Sequence, residues 1–294
     1  MNIQRKPEWL RKKINPGDQS EMRRLLGELR LNTVCQQALC PNISECFACG
    51  QATFLILGKS CTRLCSFCNV EKSVPLPADN GEPERVAEAV ARLKLSHAVI
   101  TSPTRDDLPD GGAGAYAATV AAIRTASPVT RIELLIPDFQ GDLPSLRAVV
   151  ASGPDIIAHN VETVPRLYQI RMGADYDRSL AVLRFCADLA PNIRTKSGIM
   201  LGMGEREEEV LQVCRDLHAA GCSYLSIGQY LEPSRRHYPV REYVAPERFE
   251  SLRLKALELG FSHVESGPYV RSSYHAGKYA PAQSLSRVNH TDKP

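Results

Sequence analysis

Six of the ten cysteines fall into two short triplets: Cys35, Cys40 and Cys46 spaced C-x4-C-x5-C, and Cys61, Cys65 and Cys68 spaced C-x3-C-x2-C. Each triplet is one ligand short of a closed tetrahedral site. Three thiolates hold a four-iron cubane by three corners and leave the fourth iron for another ligand. Thiolates crowded on short loops are costly unless a metal or cluster neutralises them, so both triplets read as binding something. The bland reading of the second triplet is a structural zinc knuckle. Zinc asks for four ligands, usually as two C-x2-C pairs, and this loop has one such pair. Cys49 makes a C-x2-C pair with Cys46 and is a rival fourth ligand for the first triplet. Cys186, Cys214 and Cys222 lie in or beside helical stretches among alanines and leucines and read as ordinary buried cysteines.

The elements that must position these residues alternate regularly. Apolar, strand-like runs cover residues 53–57, 98–101, 132–136, 156–159, 196–200 and 224–229. Between and after them lie helical patterns at 83–94, 115–125, 143–151, 178–189, 206–219 and 246–259. Strand-helix alternation predicts an α/β fold with a parallel sheet and right-handed crossovers. Six units are too few for a full eight-unit barrel, so the expectation is a partial (β/α)6 TIM-type barrel, open along one side. In such a barrel the C-terminal ends of the strands build the site. Cys61 to Cys68 follow the first strand, Ser102 to Asp107 the second, and Asn160 with Glu162 the fourth. Lys196 opens the fifth strand and points either into the barrel, where it needs a carboxylate partner, or at solvent. Gly111, Gly112 and Gly114 make no phosphate-binding fingerprint and read as a loop before a helix.

The C-x3-C-x2-C loop directly after a buried strand resembles the radical S-adenosylmethionine (SAM) enzymes. In that superfamily the open iron chelates the methionine moiety, and one electron from the cluster cleaves the sulfonium to a 5'-deoxyadenosyl radical. Other motifs narrow the resemblance. The upstream triplet, RDDLPDGGA at 105–113, HNVETVPRLY at 159–168, TKSG at 195–198, GQYLEPSRRH at 228–237 and RSSYHA at 271–276 together look like the lipoyl synthase family, over nearly the whole chain. Asn69 and Thr104 stand where many members carry aspartate, and neither is a ligand position.

The resemblance implies two 4Fe-4S clusters, a SAM-reducing one on Cys61, Cys65 and Cys68 and an auxiliary one on Cys35, Cys40 and Cys46. It also implies insertion of two sulfur atoms into a protein-bound octanoyl-lysine, with the auxiliary cluster as sulfur donor. The fourth auxiliary ligand is expected to be Ser273, in preference to Ser272. An alkoxide is harder than a thiolate and releases iron more readily, and the adjacent Arg271 would stabilise the deprotonated oxygen. Turn capping is the ordinary alternative for both serines. Asn160 and Glu162 are expected to contact SAM, unless they cap a helix with Thr163. Phe67 reads as an apolar cover that reaches adenine. Ser102 is a further pocket candidate with Arg105, Asp106 and Asp107, although an Arg-Asp pair also serves to brace a loop.

The implied partners are octanoylated lipoyl carrier domains, of the H protein or 2-oxoacid dehydrogenase E2 type, and an electron donor such as ferredoxin or flavodoxin. Two rival readings remain: another sulfur-inserting radical enzyme of the biotin synthase or methylthiotransferase type, and a non-enzymatic iron-sulfur carrier.

A net charge of +3 and a pI near 8.3 over 294 residues argue against nucleic acid, and no Lys/Arg run exceeds Arg11, Lys12 and Lys13. No stretch reaches membrane-spanning length, no signal peptide is evident, and ten cysteines without export signals fit a cytoplasmic enzyme with reduced thiols. The expected division is an N-terminal extension over 1–50 with the auxiliary cysteines, a barrel over 51–268 and a tail over 269–294 with the RSSY motif. Extension and tail should pack side by side if both serve one cluster.

Overall fold

The computed structural model describes residues 5–11, 20–49 and 51–274. Lys12, Lys13, His275 and Ala276 of the motifs above lie outside the described residues, as does most of the expected tail. One eight-stranded sheet runs in sequence order: β1 (Asn32–Thr33), β2 (Thr53–Leu55), β3 (His97–Thr101), β4 (Arg131–Leu135), β5 (Ile156–Ala158), β6 (Arg194–Leu201), β7 (Tyr224–Gln229) and β8 (His263–Gly267). Only β1 is antiparallel, to β2; every later pair is parallel. The six expected strands are present. The structure adds β8 to the parallel set and β1 at the other edge, so the barrel is wider than the six-unit reading but remains open between its ends.

Short helices α1 (Ser20–Glu28), α2 (Val34–Gln37) and α3 (Ile43–Ala48) precede the barrel. The crossovers are α4 (Glu82–Arg92), α5 (Ala113–Ala126), α6 (Leu143–Ala151), α7 (Tyr176–Leu189) and α8 (Glu207–Ala219), and α9 (Pro246–Glu258) leads into β8. Each starts where local chemistry permits. Asp142 and Asp175 accept backbone N–H bonds at the starts of α6 and α7, satisfying donors that a helix leaves orphaned. Gly112, at φ 93°, turns the chain into α5.

Outward strand residues such as Phe54, Ile100, Ile132 and Leu134 pack on Val86, Tyr116 and Val120 of the helices. Ile199, Leu201, Leu225 and Ile227 meet Val210, Val213 and Phe249 in a second cluster. Each such side chain contributes roughly 1.5–3 kcal/mol when fully buried. Met22, Leu25, Leu26 and Phe47 of the lead-in helices share the first cluster, so that segment is packed onto the barrel rather than tethered to it.

The interior is unlike a close-packed barrel core. Lys196 points inward, and its Nζ is 2.8 Å from Oε1 of Glu133 on β4, both side chains being fully buried. Burial alone would raise the Glu133 carboxyl, but the charge of Lys196 and a bond from His97 hold it below its ordinary range. Gly198 and Gly228, on neighbouring strands, put no side chain into the mouth, which leaves room above the ion pair.

Candidate active site

The Cys61–Cys68 loop leaves the C-terminal end of β2 and is fastened at many points. Cys61 N–H donates to the Glu71 carbonyl at 2.8 Å, Cys68 N–H to the Cys65 carbonyl at 3.2 Å, and Lys72 Nζ to the carbonyls of Cys65 and Cys68. Arg63, inside the loop, is turned inward. It grips Asp106 through two bonds at 2.8 and 3.0 Å and Asp138 at 2.6 Å, and Arg178 holds the other oxygen of Asp138 at 2.8 Å. Burial would raise the Asp138 carboxyl, but the hydrogen bonds and charge of Arg63 keep it well below the usual carboxylate range. No motif singled out Arg63, Asp138 or Arg178; the one signal was an arginine inside a cysteine loop.

The same bonds explain the RDD motif. Asp106 braces the cysteine loop, while Arg105, almost fully buried, binds Asp107 and the Leu57 carbonyl. Ser102 sits under the Tyr116 hydroxyl, 3.0 Å away, and is not among the residues that wall the cavity at the mouth.

That cavity measures about 470 Å³. Phe67, Cys68, Asn160 and Glu162 line it together with Cys35, Cys40, Thr53, Ser272 and Ser273. Asn160 Nδ2 donates to Glu162 Oε1 at 3.0 Å, and Ser272 Oγ donates to Asn160 Oδ1 at 2.8 Å. Asn160 can stand there because Gly198 lies opposite: a Cβ at 198 would come within 2.9 Å of its Oδ1. Glu162 takes φ 64°, a conformation that costs a non-glycine residue of order 1–3 kcal/mol. Two backbone bonds to β6 hold it, Glu162 N–H to the Gly198 carbonyl and Met200 N–H to the Glu162 carbonyl, each 2.9 Å. Burial raises the Glu162 carboxyl above its ordinary value. The two polar groups at the mouth are thus placed by the backbone rather than by helix capping.

The first triplet surrounds a second cavity of about 180 Å³, walled by Cys35, Cys40, Cys46, Thr53, Arg271 and Ser273. Cys35 lies in α2, capped by Thr33, and Cys46 in α3. Cys49 also reaches this wall but is exposed. The tail comes to the triplet from across the barrel: Asn42 Nδ2 donates to the Tyr269 carbonyl at 2.7 Å, and the Tyr274 hydroxyl to Glu45 at 3.0 Å. Extension and tail therefore do pack together. The adjacent serines part ways, Ser272 towards Asn160 and Ser273 towards the triplet.

Among the described residues no three His, Cys, Asp or Glu side chains converge on one metal ion. Each triplet offers three thiols, the donor set by which a 4Fe-4S cluster is held at three corners. Burial pushes Cys68 up to about 12 and also raises Cys35 and Cys65, so loading iron means displacing protons. Cys186, Cys214 and Cys222 are buried in the apolar packing, away from both cavities.

The family model for the Radical SAM superfamily matches residues 55–217, which span β2 to α8 and include the second triplet. Among solved structures, methylornithine synthase (PylB) superposes with a TM-score of 0.54 at 14% identity, covering 72% of this chain and 69% of that one. SuiB of Streptococcus suis, bound to its precursor peptide, gives 0.57 at 11%, covering 91% and 58%. At such identity these two speak for the fold alone. The chain is a radical SAM enzyme, a class that carries a 4Fe-4S cluster and uses SAM.

Curated relatives narrow this further. The lipoyl synthase of Geobacter metallireducens is 70% identical over 279 residues, covering 95% of this chain and 99% of that protein. That of Trichlorobacter lovleyi is 68% identical over 95% and 100%, and that of Alkaliphilus metalliredigens 53% identical over 95% and 97%. The chain belongs to the lipoyl synthase family. Among the described residues no helix is long and apolar enough to cross a membrane.

Proposed function

We propose that this chain inserts two sulfur atoms into an octanoyl group carried on a lysine of a lipoyl carrier domain. Cys61, Cys65 and Cys68 would hold the SAM-binding cluster; Cys35, Cys40, Cys46 and Ser273 would hold a second 4Fe-4S cluster. When bound, these groups supply the electron, the hydrogen-abstracting chemistry and the sulfur, none of which a side chain provides. The protein supplies placement.

Asn160 and Glu162 offer SAM a donor and acceptors fixed by backbone bonds to β6, with Phe67 as apolar cover. Leu135, Ile199, Met200 and Val270 give the same cavity an apolar wall for an alkyl chain. Val270, Arg271, Ser272 and Ser273 line the same cavity beside Gly228 of β7. The single observation that carries the reading is the shared cavity: Cys68 of one triplet and Cys35 and Cys40 of the other face one space. A substrate carbon there lies between both groups.

The carrier is of the H protein or 2-oxoacid dehydrogenase E2 type, the electron donor a ferredoxin or flavodoxin, and the setting the cytoplasm, where thiols stay reduced. The basic pair Arg235 and Arg236, exposed beyond β7, favours an acidic carrier surface. Anaerobic incubation with reductant, SAM and an octanoyl-lysyl peptide, read by mass spectrometry, tests the proposal. A product heavier by two sulfurs is expected; SAM cleavage with an unchanged peptide would overturn it.

A further inference from the structure

The ion pair of Lys196 and Glu133 has no task in the chemistry above. It is fully buried, and a buried pair is seldom worth more to stability than two apolar side chains of the same volume. The other side of the ammonium supplies a reason. Lys196 Nζ also donates to the backbone carbonyl of Ser272, at 2.6 Å. That carbonyl belongs to the peptide unit joining the two serines that turn apart, Ser272 to Asn160 and Ser273 to Thr53 at the triplet. The peptide is the central unit of a turn closed by the Tyr274 N–H to Arg271 carbonyl bond at 2.9 Å, and such a unit can still flip within the closed turn between the type I and type II geometries, which would change the direction of the Ser273 side chain. A donor fixed on the carbonyl removes that freedom. Only a long, charged side chain rising from the barrel interior reaches it, and only a counter-ion keeps that charge tolerable there. Glu133 is that counter-ion, itself steadied by His97 Nε2 at 3.2 Å.

We propose that Lys196 is a positioning residue: paired with Glu133, it fixes the Ser272–Ser273 peptide and so aims Ser273 at Cys35, Cys40 and Cys46. The proposal deepens the assignment of Ser273 to the second cluster and rests on it. The pair orders the tail from within the barrel, and the energy of burying a charge is spent on the orientation of one peptide.

Lys196→Met alone strands the Glu133 charge and risks misfolding. The double variant Glu133→Gln/Lys196→Met removes both charges and is the main test, with the parent protein treated in parallel. Three quantities are followed: trypsin cleavage after Arg271 by mass spectrometry, the Mössbauer spectrum of the reconstituted clusters, and the yields of 5'-deoxyadenosine and sulfur-bearing peptide. The double variant should be cut after Arg271 about tenfold faster or more, since the tail opens locally without global unfolding. It should show an altered auxiliary-cluster spectrum, keep 5'-deoxyadenosine formation within about threefold and lose about tenfold or more of the product, as an oriented ligand would require. A double variant cut at the parent's rate, or one with an unchanged spectrum, overturns the proposal whatever its product yield. A released tail in a protein whose parent makes no sulfur-bearing product would leave the positioning intact and overturn the function proposed above instead.

Discussion

Thr53, the first residue of β2, donates a 2.7 Å hydrogen bond from its Oγ1 to the Oγ of Ser273, 220 positions away. The bond joins the strand that launches the SAM-cluster loop to the tail serine at the other triplet. The two cysteine sets are thus fixed relative to one another by the barrel wall. Fixed separation is what a reaction needs when hydrogen removal and sulfur addition act on the same carbon.

The two triplets should be functionally separable. Alanine at Cys61, Cys65 or Cys68 is expected to abolish SAM cleavage. Alanine at Cys35, Cys40 or Cys46 should spare much of the cleavage and stop sulfur insertion. Quantifying 5'-deoxyadenosine and product side by side checks both; a folded first-triplet variant with normal product would refute the assignment.

Ser273→Ala should assemble a second cluster that is not used productively. Ser273→Cys should give a more durable cluster that is less readily sacrificed, because thiolate holds iron more firmly than alkoxide. Iron content and single-turnover product yield measure this. Loss confined to Ser272 variants would move the ligand by one position.

Gly228 lets the tail approach: a Cβ there would lie 2.2 Å from the Val270 carbonyl oxygen. Gly228→Ala should therefore push the tail off β7, costing roughly 1–3 kcal/mol as an overpacked site does, and lower product formation more than SAM cleavage. Gly27, in α1, would have nothing within 4 Å of a methyl group at its Cβ position, so Gly27→Ala should stabilise by about 0.5–1 kcal/mol. Thermal melts of the two variants should move in opposite directions.

Asp138 makes stability depend on acid. Its carboxyl is held below the ordinary 3.8 in the folded chain, so below that value the unfolded state binds more protons. Its contribution is complete above the unfolded value and is lost as pH falls through the folded one. Asp138→Asn leaves Arg63 paired with Asp106 alone and should cost about 1–3 kcal/mol at neutral pH, as the loss of a charged hydrogen bond does, and should flatten the acid limb. Urea unfolding from about pH 7 down to about pH 3 reads both effects.

Tethering should govern turnover. A floppy eight-carbon chain offers many similar hydrogens, and anchoring its amide end selects among them. Octanoyl-lysyl peptide or carrier domain should react while free octanoic acid reacts poorly; equal rates for all three would remove the positioning role.

The cysteine spacing and the strand-helix rhythm were legible in the sequence because each is local. All six expected helices lie within two residues of their observed bounds, since capping and periodicity act over a few residues. His263–Gly267 escaped notice: only Val264 of its five residues is buried, so no apolar run announces it. The burial of Lys196 was undecidable without Glu133, 63 positions earlier, and the grip on Arg63 depends on Asp138, 75 positions later. Side-chain partners brought together by the barrel leave no signature in spacing. Ser102, read from its place after a strand end, turns instead to Tyr116, because residues at a strand end alternate between mouth and helix layer.

The barrel's two ends, β1 with β2 on one side and β8 on the other, share no ladder pairing among the described residues. They meet through side-chain bonds, Asn42 to Tyr269, Thr53 to Ser273 and Tyr274 to Glu45. Each such bond is worth about 1 kcal/mol net, far less than a cooperative strand pairing. Asn42, Thr53, Ser273 and Tyr274 of this junction also line the cavity at the first triplet. Amides along the junction should exchange through smaller local openings than those of the parallel strands, so a cluster held as proposed on Cys35, Cys40 and Cys46 would sit where the two ends of the sheet can part, and iron and sulfide would have their way in there.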